Sequence, residues 1–303
     1  MHPLILHHYD LSPYAEKIRL ALGFKALPWR SVQIPIVMPK PDLVELTGGY
    51  RRTPTLQVGA DVYCDTKVIA RALERIAPEP SLYPPRSEAI LPALSRWAET
   101  SFMMVVTVLL GVGDTFDEAF IDDRRKMFPG VDFSKAKVLV PAKLLQLRAN
   151  IDLLERQLGD GRAFLLGPTA SLADLSAYHP LRFTRVNPVF KGIFDPLVRV
   201  PAWMDRVAAI GHGKREEMES GEAIAIAREA TPAEWRGEVT PLPEGLAWGD
   251  RVVVLPEESG SGMVAGELLP SDVHEIRIGR RGERTGELVV HLPREDYLVV
   301  RPG

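Results

Sequence analysis

Ser12, in the stretch "YDLSPYAEKIRLALGF" (residues 9–24), stands just before Pro13 and a run with helical spacing. A serine at that place caps the exposed amides of a first helical turn, worth about 1 kcal/mol. The same amides stabilise an anion, and a serine hydroxyl can donate to one. The useful anion here is a thiolate. A free thiol with a pKa of about 8.5 is only a few per cent ionised at neutral pH. Lowering that value by about two units takes roughly 2.7 kcal/mol. One charge-assisted hydrogen bond and a helix end are together of that size. Ser12 thus has two readings, as a cap and as an activator of another molecule's thiol. The G-x-S-x-G turn of a serine hydrolase is missing, as are a glycine-rich phosphate loop and a dinucleotide fingerprint.

Other reactive residue types are sparse. Cys64 is the single cysteine, so no disulfide forms within the chain, and its apolar neighbours suit a packed thiol. His7, His8 and Asp10 lie close in sequence, but alternate strand positions face opposite ways, which disfavours a metal site. A net charge of -3 over 303 residues gives no support to nucleic-acid binding. The start "MHPLILHHYD" does not read as a signal peptide, and the apolar run 102–113 is shorter than a bilayer span. A cytoplasmic protein away from membranes is expected.

The elements that must position Ser12 follow from pattern. A strand over residues 3–7 and a helix from Pro13 to about Gly23 precede a second strand at 29–34. "KPDLVELTGG" reads as a short helix closed by glycine, and "TPTLQVGADVYC" as two strands joined at Gly59. "DTKVIARALERIAP" is a third helix. That order fits a small mixed sheet flanked by helices over residues 1–80. The proline-rich "APEPSLYPP" is a linker. Helical segments at 88–110, 143–158, 171–180, 201–210 and 216–230 predict an all-helical domain over 88–232. Ser171 and Asp174 have N-terminal box spacing, and Trp203 and Val207 share a core-facing side. Residues 243–303 hold five short β-rich runs, read as a barrel-like, SH3-like module that folds separately or caps the helical domain.

Three segments in the first 80 residues, in order, resemble the cytosolic glutathione transferase family: "SPYAEKIRLAL", "RRTPTL" and "DVYCDTKVIARAL". "TASLADLSAYHPL" is similar to that family's helical domain, so the resemblance covers about residues 1–215 and leaves the tail outside. It implies an α/β thioredoxin-like domain followed by an all-α domain, and glutathione as co-substrate with no metal. By the same resemblance Ser12 faces the glutathione sulfur, with Tyr9 competing for that role. Thr53 offers its backbone to the cysteinyl part and Pro54 is a cis residue. Asp65 and Thr66 hold the γ-glutamyl end, and Arg52 faces the glycyl carboxylate. Taken alone, Asp65 or Thr66 is a helix cap, Thr53-Pro54 a turn and Arg52 a solvated charge. Phe102, Met103, Val106 and Leu110 are candidate walls for a small apolar electrophile. Serine at position 12 excludes thiol-reductase chemistry through a protein thiolate. The expectation is a homodimeric transferase used in detoxification. The alternative is a non-catalytic binding or scaffolding protein of the same fold.

Overall fold

The computed structural model describes residues 2–113, 115–257 and 262–302. The first 80 residues form strands β1 (Leu4–His8), β2 (Pro28–Gln33), β3 (Thr55–Val58) and β4 (Asp61–Cys64), with helices α1 (Pro13–Phe24), α2 (Pro41–Thr47) and α3 (Thr66–Ile76). Strand β1 runs parallel to β2, with Leu6 opposite Ser31, and antiparallel to β3, with His7 opposite Thr55. Thr55 in turn lies opposite Cys64 of β4. Local chemistry sets the helix ends. Pro13 and Pro41 occupy first-turn positions, where a missing N–H costs nothing, and Gly48 closes α2 at a φ of 75°.

The helical domain comprises α4 (Ile90–Val112), α5 (Glu118–Met127), α6 (Ala136–Gln157), α7 (Leu172–Val186) and α8 (Arg199–Ala208). Asp174 anchors α7: its carboxylate accepts from Ser171 N and Oγ at 2.9 and 2.8 Å, and from Leu165 N and Trp203 Nε1 at 2.8 and 2.9 Å. Helix α4 is long and apolar enough to cross a membrane by length and composition. Here its inner side (Leu91, Ala98, Val105, Val108) packs into the core shared with α6 and α7. Two stretches differ from expectation. Helix α6 begins at Ala136 and accommodates Pro141, and α5 fills a segment whose charged sequence, "EAFIDDRRKM", shows little apolar periodicity.

The span 216–230, expected as one helix, divides into strand β5 (Lys214–Glu217) and helix α9 (Ser220–Glu229). Strand β5 adds to β2 in parallel although its sequence is wholly charged, because it is an exposed edge. The tail supplies β6 (Arg251–Pro256), β7 (Val264–Leu269), β8 (Glu275–Gly282), β9 (Gly286–Pro293) and β10 (Tyr297–Val300). The all-β module is present and does not stand apart: it joins the sheet of the first domain, and Ile224 and Ala227 of α9 pack into its core. Its strand β9 pairs in parallel with β4, giving a continuous sheet of order β10-β6-β7-β8-β9-β4-β3-β1-β2-β5. Val62 and Cys64 share one apolar core with Val252, Ile276 and Val290. At the junction His291 bridges Glu275 (2.5 Å) and Asp61 (2.8 Å) while stacking on Tyr63.

Candidate functional site

Strand directions gather the expected residues. β1 ends where the antiparallel β3 begins, and the antiparallel β4 ends opposite the start of β3. The start of α1, the Thr53-Pro54 segment and the start of α3 therefore lie at one end of the sheet. Ser12 is the N-cap of α1: its Oγ accepts from Ala15 N at 3.1 Å, and that is its one side-chain hydrogen bond among the described residues. The hydroxyl hydrogen is left free to donate. Ser12 is only 1% exposed, so its hydroxyl lies beneath neighbouring groups.

The Thr53-Pro54 bond is cis. Asp65, at a φ of 87°, caps α3 by accepting from Lys67 N at 3.0 Å, and Thr66 beside it is buried. Arg52 is not a solvated charge. It lies among Tyr50, Tyr297, Asp65 and Tyr14, and its Nε and Nη2 are buried with no hydrogen-bond acceptor. A buried cation with two unanswered donors is costly unless something else answers them. Cys64 is fully buried and burial pushes its thiol up, away from the ionised form.

On the other side of Thr53 stand residues that motif spacing missed. Lys40 Nζ reaches the Arg51 carbonyl (3.3 Å) and Thr53 Oγ1 (3.5 Å) and lies over the Tyr9 ring. Burial, then the charges of Arg124 and Arg51, lower its pKa to about 8. Helix α5 closes this side. Asp123 accepts from Met38 N at 3.1 Å and pairs with both Arg51 and Arg124. Arg124 also reaches Tyr9 Oη and the Ile36 carbonyl, each at 3.4 Å. Three cations thus surround one carboxylate, which leaves surplus positive charge. The flanking prolines of Lys40 and the "DDRRK" run were the available signals; neither identifies a site alone.

The candidate apolar walls separate. Phe102 packs edge-to-face on Tyr14 (4.9 Å between ring centres) and near His179, beside the first turn of α1. Val106 and Leu110 are half-buried, whereas Met103 is exposed. His7 and His8 point to opposite partners, Gln57 and Ser31, so they do not form one ligand set.

Residues 6–81 match the glutathione S-transferase N-terminal domain and residues 138–206 the C-terminal domain of the same family. A GST-like protein from Pseudomonas syringae is 38% identical, with a TM-score of 0.83 and coverage of 100% of both chains. Glutathione S-transferase theta-1 from Rattus norvegicus is 36% identical over 98 residues, which is 32% of this chain and 39% of the rat protein. This chain therefore matches well under half the length of that curated relative. The β-etherase LigF from Sphingobium is 18% identical at a TM-score of 0.54, covering 68% of this chain and 95% of its own, a likeness of fold.

Proposed function

The chain belongs to the glutathione S-transferase family, and from that premise we propose that it binds glutathione and ionises its thiol at Ser12. The observation that carries this reading is the Ser12 hydroxyl. Its oxygen is already engaged by Ala15 N, so its hydrogen is the part offered to a partner at a helix start. Glutathione would lie along the Thr53-Pro54 edge with the Thr53 backbone pairing its cysteinyl part. Asp65 would take the γ-glutamyl ammonium, and Thr66 with the α3 amides its carboxylate. Lys40, with the surplus positive charge near Arg51, would take the glycyl carboxylate, whereas Arg52 lies beside Asp65 at the γ-glutamyl end rather than at the glycyl end implied by the resemblance. Tyr9 serves as a wall in this arrangement, held by Lys40 and Arg124.

The thiol proton leaves to solvent, and the thiolate forms a carbon–sulfur bond with a small electrophile while the leaving group departs with its electron pair. Phe102, Val106 and Leu110 support an apolar body on that electrophile. Because Ser12 is 1% exposed, neighbouring groups must shift before a sulfur reaches it. A detoxifying role in the cytoplasm belongs to the same proposal. So does a homodimer, favoured by exposed Met103, Leu145 and Leu153 and formed away from the β4 edge that β9 occupies.

Immobilised glutathione and a set of electrophiles test the reading. Retention with electrophile-dependent consumption of thiol is expected. Folded protein that passes through unretained and leaves the thiol untouched would refute it, and retention without turnover would leave a binding protein.

A further inference from the structure

We propose that the C-terminal β-strands build one wall of the glutathione site, with Tyr297 as a positioning residue that aims Asp65 at the γ-glutamyl end. This rests on the glutathione reading above. The strand register supplies the placement. Tyr63 of β4 lies opposite His291 of the parallel β9, so both strands finish at the same end of the sheet. The turn between β9 and β10 consequently lands on the start of α3.

Side chains then clamp that turn. Lys67, in the first turn of α3, pairs with Asp296 at 2.5 Å and with Glu295 at 3.2 Å. Arg96 of α4 pairs with Asp296 as well. Asp296 sits at a φ of 69°, uncommon for residues other than Gly, Asn and Asp, and these contacts add to what holds the turn. Tyr297 follows immediately. Its ring is 6% exposed and belongs to the core shared by the tail and the first domain. Its hydroxyl donates to Asp65 Oδ2 at 3.3 Å.

Asp65 is thereby held from two sides. Oδ1 accepts the Lys67 amide and Oδ2 accepts the Tyr297 hydroxyl. Each carboxylate oxygen offers two lone pairs, so both keep capacity for an ammonium donor. At a φ of 87° the Asp65 backbone is itself unfavourable, and the second tether fixes the direction of its free lone pairs. Removing the phenol hydroxyl would release one oxygen while leaving the ring packed.

The test compares the intact protein with its Tyr297→Phe variant, titrated with glutathione and with cysteinylglycine, a thiol lacking the γ-glutamyl group. Loss of one such hydrogen bond predicts about a three- to tenfold weaker Kd for glutathione and less than about a twofold change for cysteinylglycine. The kcat at saturating glutathione should stay level. An unchanged glutathione Kd, or equal weakening for both thiols, overturns the assignment. Should Tyr297→Phe fail to fold, Tyr297→Met refills the same core position with a flexible side chain that has no hydroxyl, and the same selective loss is expected there. Equal loss or none in that variant also overturns it. Wild-type protein that binds neither thiol overturns the glutathione reading itself, whereas tight wild-type binding with indifferent variants fails this inference alone.

Discussion

Replacing Ser12 with alanine separates the two jobs that its side chain can do. As a cap, Oγ accepts from Ala15 N, and losing that bond should cost about 1 kcal/mol of stability. As a donor, the hydroxyl should lower the pKa of a bound thiol. A two-unit depression amounts to about 2.7 kcal/mol, of which a helix start supplies about 0.5–1. The hydroxyl is left with about 2 kcal/mol, or roughly 1.5 units of pKa. Ser12→Ala should therefore move the bound thiol from about 6.5 to about 8, cutting the ionised fraction at about pH 6.5 some fifteenfold. Ultraviolet thiolate absorbance of the complex, followed against pH, reads this directly. Conjugation rates should show the same loss at low pH and converge with wild type once both thiols are ionised. Ser12→Gly is the companion variant. Glycine costs a cap only a few tenths of a kcal/mol, so it should show the full pKa change with little loss of stability. A bound thiol that titrates alike in wild type and both variants would refute the donor role. A rate loss that is uniform across pH would show that Ser12 positions sulfur without ionising it.

Acid should loosen the fold before carboxylates titrate. Burial lowers His7 to about 4, and burial with the Arg19 and Arg215 charges lowers His8 to about 3, from an ordinary 6.5. The unfolded chain takes those protons first, so stability is full above about pH 6.5 and falls by about 2 kcal/mol per histidine on reaching about pH 5. Urea midpoints measured across that window check this, and a flat profile would contradict it. His291→Leu leaves Asp61 and Glu275 as buried carboxylates without their bridge, and should cost about 3–5 kcal/mol in denaturant unfolding. A loss under about 1 kcal/mol would mean the bridge contributes little there. With Lys40 at about 8, affinity for S-methylglutathione, which has no thiol to titrate, should fall as pH rises through about 8. Lys40→Arg should shrink that fall to the share carried by the ligand's own ammonium, which equilibrium titrations can follow; an equally steep fall in Lys40→Arg would assign it to groups other than Lys40.

What could be seen in the sequence was chemistry that neighbours along the chain complete by themselves. Ser12 with Pro13, Gly48 after α2, and Ser171 with Asp174 each satisfy a helix end within a few residues, and spacing reveals them. The remaining parts of the site are assembled by pairings between distant segments. Strand β5 carries only charged residues, so no alternation marks it; the exposed edge of β2 makes it a strand. Helix α5 is legible only once Asp123 meets Arg51, 72 positions away in sequence. Lys40 stands out only once the fold has buried it beside Arg124 and Arg51. Tyr297 is further removed still, 232 positions from Asp65, and its place depends on the parallel pairing of β4 with β9, which the pattern of neither strand announces. That pairing changes how the tail must be understood energetically. A five-stranded unit folding alone would have to bury its own edges. Joined to β4 and sharing the core of Val62 and Cys64, the tail closes that edge and brings its last turn to α3 in one step. Stability of the tail and geometry at Asp65 therefore rest on the same contacts, so a perturbation that unseats β9 must reach the site as well.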